Sequence, residues 1–269
     1  MLPIPRLFQI LAFTVLAFPS RAQSVNPVPE KSIPVQAVGF TTDNLGNIYF
    51  ITKDSGLIKY DIRTDTTITY SDYRYGALGS VDAANPLQPL LFYPDFGTIL
   101  VMDRFLSVQN TIDLRVLNIF KADAAAASND NRIWVFDEQQ AKLKKIDLNG
   151  NSVLETVDLR TVLGLVPQPN LILDQGGMVY CCDSSRGIFV FDYYGTYRNE
   201  LHFTGISSLQ WFNSQLIFYH DGKLTRYDLR TLEQKELPIP DPDHVLMARL
   251  ERDRLYVLRK GRMDLYPIR

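Results

Sequence analysis

Six copies of one strand–turn–strand layout, recurring about every 40 residues, predict an all-β chain. The expected form is a six-bladed β-propeller of four-stranded antiparallel blades. Two lattices carry this expectation. A marker in the first strand of each copy (Tyr49, Leu100, Trp134, Tyr180, Ile217, Tyr256) steps by 51, 34, 46, 37 and 39 residues. A second, at the end of the following strand (Asp61, Asp113, Asp147, Asp192, Asp228, Pro267), steps by 52, 34, 45, 36 and 39. The two move together, which chance alternation does not produce. The turns agree: Leu45-Gly46, Asn149-Gly150 and Asp221-Gly222 supply residues that tolerate positive φ in tight hairpins.

The first 22 residues hold a positive charge at Arg6, an apolar run from Leu7 to Phe18 broken by Gln9 and Thr14, and a small-x-small ending at Ser20-Arg21-Ala22. That is the layout of a secretory signal peptide over residues 1–22. No later stretch reaches the roughly 18 apolar residues of a membrane helix. Residues 23–34 hold Pro27, Pro29 and Pro34 and read as an extended segment.

The propeller then occupies 35–269. In its first blade Val35–Phe40 is the inner strand, followed by strands at Asn47–Thr52, Gly56–Tyr60 and Thr66–Ser71. The second blade is irregular. Asn85–Pro94 is expected as its inner strand, although it contains two internal prolines and large side chains, which suit only an edge position. In the third blade Ile133–Phe136 is apolar on both sides, as a blade between two neighbours requires. In the fourth, Cys181 and Cys182 are consecutive strand residues whose side chains point to opposite faces, so two free buried thiols are expected. The sixth copy stops after its third strand, Arg262–Ile268. An open sheet edge invites aggregation, and the N-terminal segment is expected to close the ring as the missing outer strand.

Composition bounds the function. Of 269 residues 46% are hydrophobic; 28 Lys and Arg stand against 30 Asp and Glu. Removing residues 1–22 takes two arginines and no acid, so 26 basic residues face 30 acidic ones, net −4. Neither nucleic acid nor an anionic membrane is an expected partner.

DNLGNIYFITKDSGLIKYD, from Asp43, resembles the blade motif of NHL-type and two-component-regulator-type propellers. There an Asp-x-x-Gly-Asn-Ile-Tyr strand is followed by a Gly-Leu…Tyr-Asp strand. The layout is also similar to secreted propellers of gram-negative bacteria. The resemblance implies a fold and an exported address, periplasmic, outer-membrane-associated or extracellular; it carries over no functional residue.

Propeller ligands usually sit at a channel mouth near the start of each inner strand. Those positions fall near Val35, Asn85, Asp123, Asn170, Ser207 and His244, of which the last five are candidate binding residues. Six-bladed lactonase-like hydrolases resemble this architecture and hold a divalent metal there. One Asp and two Asn are a thin oxygen set for a hard cation, so neither a metal nor any other cofactor is expected. The three histidines have no metal spacing, and no GxSxG elbow or phosphate-cradling glycine loop is present. The second blade's irregular stretch offers Gln88, Phe92 and Tyr93 as a partner surface. Apolar inner strands, few convergent carboxylates and no nucleophile–base pair point to a non-enzymatic scaffold in the cell envelope. Its expected partner is a protein, with a glycan as the second class; the alternative is a channel-mouth hydrolase of lactonase type.

Overall fold

The computed structural model describes residues 27–268. The signal-peptide reading and the first residues of the extended segment lie outside them. Strand β1 (Lys31–Pro34) comes first. Blade 1 is β2 (Ala37–Thr42), β3 (Asn47–Thr52), β4 (Leu57–Asp61) and β5 (Thr66–Tyr70). Blade 2 is β6 (Ser80–Asp82), β7 (Leu90–Tyr93), β8 (Thr98–Met102) and β9 (Val108–Asp113). Blade 3 is β10 (Ala125–Ala127), β11 (Ile133–Asp137), β12 (Lys142–Ile146) and β13 (Ser152–Glu155). A five-residue helix, α1 (Leu159–Leu163), leads into blade 4: β14 (Leu171–Gln175), β15 (Met178–Asp183), β16 (Gly187–Asp192) and β17 (Tyr197–Leu201). Blade 5 is β18 (Ile206–Phe212), β19 (Gln215–His220), β20 (Lys223–Tyr227) and β21 (Gln234–Leu237). Blade 6 is β22 (Val245–Glu251), β23 (Arg254–Arg259) and β24 (Arg262–Pro267), with β1 as its outer strand.

Every blade is a four-stranded antiparallel meander, and the six inner strands β2, β6, β10, β14, β18 and β22 touch in a closed ring. The ring is sealed as expected. Lys31 pairs with Leu265 and Pro34 with Arg262, and the backbone bonds Glu30 N to Leu265 O and Val35 N to Gly261 O extend the ladder at both ends.

Alternation explains the core. Strand residues point to opposite faces, and both faces of each blade meet a neighbour, so middle strands read as unbroken apolar runs. Ile133 and Val135 pack against blade 2, while Trp134 and Phe136 pack against blade 4. Cys181 likewise joins the interface with blade 3 and Cys182 the interface with blade 5, and both are free. Burial pushes both thiols up, Cys182 to about 12. Neither should be alkylated in the native protein, and both should be alkylated in denaturant without reductant; an intact mass showing neither modified would reveal a disulfide.

Blade 2 corrects the expected register. Its inner strand is the short β6, Asn85–Pro89 is a loop, and Leu90–Tyr93 is the second strand. Leu100 therefore lies on the third strand and Asp113 ends the fourth. With Leu90 and Asp103 in their places the lattices step by 41, 44, 46, 37, 39 and by 42, 44, 45, 36, 39. The confusion has a physical source: β8 is buried at all five positions and reads as a second strand.

The blade motif's aspartate has a clear role. Asp43 Oδ1 accepts the amides of Leu45 and Asn47, closing the β2–β3 turn. Asp103, Asp147 and Asp192 do the same, two and four residues ahead, in the turns before the outer strands. Asp147 is thus a turn residue, as the Asn-Gly hairpin implied.

Candidate functional site

The inner strands enclose a cavity of about 480 Å³ on the propeller axis. All six run in the same sense, so the channel has a near end, where they begin, and a far end, where they finish. The near end is lined by uncharged residues such as Val38, Leu78 and Met247. The far end carries the charge: Asp43 just after β2, Asp82 from β6, and Arg249 and Glu251 from β22.

An inner strand has one ladder neighbour, so its second edge leaves backbone groups to satisfy. Side chains at the far end do this between blades. Asp82 accepts from Ala84 N at 2.8 Å and from Ala127 N of blade 3 at 2.9 Å. Gln210 accepts from Leu250 N of blade 6 at 3.0 Å and donates to Leu250 O. Asp174 accepts from Ser128 Oγ at 2.6 Å, Trp134 Nε1 at 2.8 Å and Asn129 Nδ2 at 3.0 Å, fastening blade 4 to blade 3. Thr42 of blade 1 donates to Glu251 at 3.3 Å.

Arg249 is less well served. Its Nη1 donates to Ser208 Oγ at 3.2 Å and Leu209 O at 3.4 Å, and its shielded Nε has no partner. Burial draws the guanidinium down to about 10, with Glu251 and Asp82 opposing. Burial pushes the Asp82 and Glu251 carboxyls up. The far end can therefore engage charges of both signs.

The residues expected at the mouth are divided. Asn170 and Ser207 line the channel at its near end. Ser207 sits in a bulge where β18 shifts register against β19 and donates to Tyr219 O at 3.3 Å. The same bulge recurs at Val38 and Leu246, so the irregularity belongs to the blade design. Asp123 is exposed beside Glu138, whose carboxyl burial and Asp123 push up while Lys121 pairs with it at 2.6 Å. His244 is exposed, with φ of 62°. Asn85 lies at the opposite end, in the loop after β6, where its Oδ1 accepts from Leu87 N. Asn85 and Gln88 line a second cavity of about 150 Å³ between blades 2 and 3, with Asn129 and Arg132. Phe92 and Tyr93 correct the expected partner surface. Both belong to β7 and are 2% and 0% exposed, so they pack between blades and present nothing to a partner.

Sequence reasoning missed Asp82, Arg249 and Glu251. An arginine inside the apolar strand Val245–Glu251 was the available signal; Asp82 was hidden by the misplaced inner strand. It also missed exposed apolar residues near Phe92. Tyr73, Phe96, Val116 and Phe120 are 68%, 44%, 77% and 63% exposed. They lie on the connector into β6, the β7–β8 turn and the connector after β9, all at the near end of blade 2. Hydrogen bonds Ala77 N to Asp95 Oδ2 and Leu114 N to Gly97 O, each 2.8 Å, tie these segments together.

Among the described residues no helix is long and apolar enough to cross a membrane. Neither a protein-family model nor a curated protein matches the chain. Solved structures do. A structure of the mitotic checkpoint complex aligns over 98% of this chain and 99% of its own, with 12% identity and a TM-score of 0.59. The virginiamycin B lyase of Staphylococcus aureus, solved with quinupristin, aligns over 89% and 88%, with 14% identity and a TM-score of 0.61. An extracellular domain assigned to a one-component system of B. thetaiotaomicron aligns over 85% of this chain and 32% of its own, with 14% identity and a TM-score of 0.56. At these identities the likeness is one of fold.

Proposed function

We propose that the protein is an exported, non-enzymatic propeller scaffold of the cell envelope that binds a protein partner. The observation that carries this reading is the apolar surface at the near end of blade 2. Single exposed apolar side chains are ordinary on a protein surface, but several gathered on segments at one end of one blade are a feature of contact surfaces. Tyr73, Phe96, Val116 and Phe120 are large, sit on three segments bonded to one another, and have Arg115 beside them, its guanidinium 5.8 Å from the Phe96 ring centre. Aromatic residues and arginine are the types enriched where interfaces hold most of their binding energy. The carboxylate of Asp174 is occupied in fastening blade 4 to blade 3, which suits a scaffold better than a hydrolytic centre. The exported address is supported by the N-terminal sequence and is in keeping with a fold neighbour that is itself an extracellular domain.

A pull-down from native envelopes tests the reading. The variant Phe96→Ser/Val116→Ser/Phe120→Ser should melt within a few degrees of the parent, because none of the three side chains belongs to the buried core. It should recover at least about tenfold less partner, since the loss of a single anchoring residue commonly costs about 2 kcal/mol and about 1.4 kcal/mol is tenfold. Undiminished recovery by the variant would sink this surface as the contact site.

A further inference from the structure

The far end of the channel holds one guanidinium and three carboxylates; Asp43 is taken up by the amides of Leu45 and Asn47, the Asn47 side chain and the Tyr49 hydroxyl, and the other two acids do not neutralise the arginine. Arg249 and Glu251 are alternate residues of β22 and Asp82 belongs to β6, all lining the same cavity. Among the described residues no ion pair at or below 4.0 Å joins Arg249 to either acid. A guanidinium has five donors. Arg249 places Nη1 on two long contacts, 3.2 and 3.4 Å, and leaves the shielded Nε with none. Glu251 accepts one long bond, 3.3 Å, from Thr42. Both oxygens of Asp82 accept backbone amides, and each retains a free lone pair. Leaving a charged donor shielded and unpaired costs its full desolvation. An inner strand could avoid that cost with any small apolar residue, as β10 does with its three alanines.

Unpaired charges kept apart in a cavity are a functional arrangement when a ligand can bridge them. The space suits this: about 480 Å³ lies in the ordinary range of small-molecule sites. The walls also suit it. Leu173 and Leu209 line the cavity beside the charges, and Trp211 lies over the Gly176-Gly177 turn. A Cβ on Gly176 would come within 2.7 Å of the Trp211 ring, so the close fit of indole on backbone requires glycine there.

We propose that the far end of the channel binds a small zwitterion, a molecule carrying a carboxylate and an ammonium as free α-amino acids and short peptides do. Arg249 takes the carboxylate; Asp82 and Glu251 take the ammonium. A simple anion would satisfy Arg249 but meet the acids, and a simple cation would leave the guanidinium without a counter-charge. This site is at the opposite end of the propeller from the apolar surface of blade 2, so the two readings succeed or fail separately.

The test is the melting temperature and binding isotherm of the purified protein with about 10 mM of each common α-amino acid and of Gly-Gly and Ala-Ala, because a ligand that binds only the folded state raises the melting point. Ethylamine and propionate serve as the two half-ligands. At least one zwitterion should raise the melting temperature while neither half-ligand does. Glu251→Gln and Arg249→Gln should each weaken its Kd by about tenfold or more, the loss of one charge-assisted hydrogen bond. Glu251→Gln, which keeps the side chain's shape, decides alone if Arg249→Gln does not fold. No stabilisation by any member of the panel overturns the proposal. So does equal stabilisation by a half-ligand, or an unchanged Kd in the folded variants.

Discussion

Deleting residues 23–34 should lower the melting temperature by about 10 °C, whereas deleting 23–28 should leave it within about 2 °C. The difference is β1. Its four residues pair with β24 from Lys31–Leu265 to Pro34–Arg262. Ile33 is buried in the interface between blades 6 and 1, with Phe50, Leu258 and Met263. Burying such a side chain contributes about 2 kcal/mol. Ser32 Oγ donates at 2.6 Å to Asp264, a buried carboxylate that also holds Arg259 at 3.1 Å. Without the strand that ion pair loses a hydrogen bond and its cover, and breaking the surroundings of a buried pair is strongly destabilising. The exposed pairs Arg254–Glu30 and Lys31–Asp65, both 3.0 Å, add little by comparison. A total of about 3–4 kcal/mol corresponds, at about 2–4 °C per kcal/mol for a domain of this size, to the stated drop. The uncovered edge of β24 should also promote association, visible as light scattering below the transition. An unchanged melting curve for the longer deletion would mean that the ring does not depend on its N-terminal strand.

That closure was legible from the sequence because it follows from a deficit: a sixth copy lacking its fourth strand, and an extended segment with no blade of its own. The blade count was legible because each copy must bury both faces and turn sharply, which leaves paired marks in the chain. What failed was register within blade 2, where Thr98–Met102 is as apolar as any second strand and the inner strand has shrunk to Ser80–Asp82. The site suffered from that slip and from a second cause. A sequence shows which residues start an inner strand, but not which end of the channel collects charge. Asn170 and Ser207 lie on the channel wall, whereas Asn85 lies at the other end with the misread strand. Phe92 and Tyr93 were aromatic residues beside prolines, and only packing between blades could reveal them as core.

Trp134→Ala should be among the most destabilising single substitutions, about 4–5 kcal/mol by urea unfolding, and Trp134→Phe should cost about 1–2 kcal/mol. Trp134 is fully buried between blades 3 and 4. Its indole N–H donates to Asp174 at 2.8 Å, so the ring is also part of the bond network that fastens β14 to blade 3. Its face carries a second burden. Lys145, its cross-strand partner, is 2% exposed, and the ammonium lies 4.4 Å from the Trp134 ring and 3.6 Å from that of Tyr193. A buried ammonium needs compensation, and besides the two rings it has one carboxylate contact, Asp130 at 3.3 Å. Alanine removes the packing volume, the donor to Asp174 and one wall of the lysine's cage together. Phenylalanine keeps most of the volume and a π face, and loses the hydrogen bond. Asp174→Ala on its own should fall between the two, because Ser128 Oγ and Asn129 Nδ2 lose their acceptor along with the indole. In the Trp134→Phe background the same Asp174→Ala change should cost about 1 kcal/mol less than in the parent, the coupling expected of a shared hydrogen bond. Equal costs for alanine and phenylalanine at position 134 would show that neither the ring volume nor the lysine cage matters to stability.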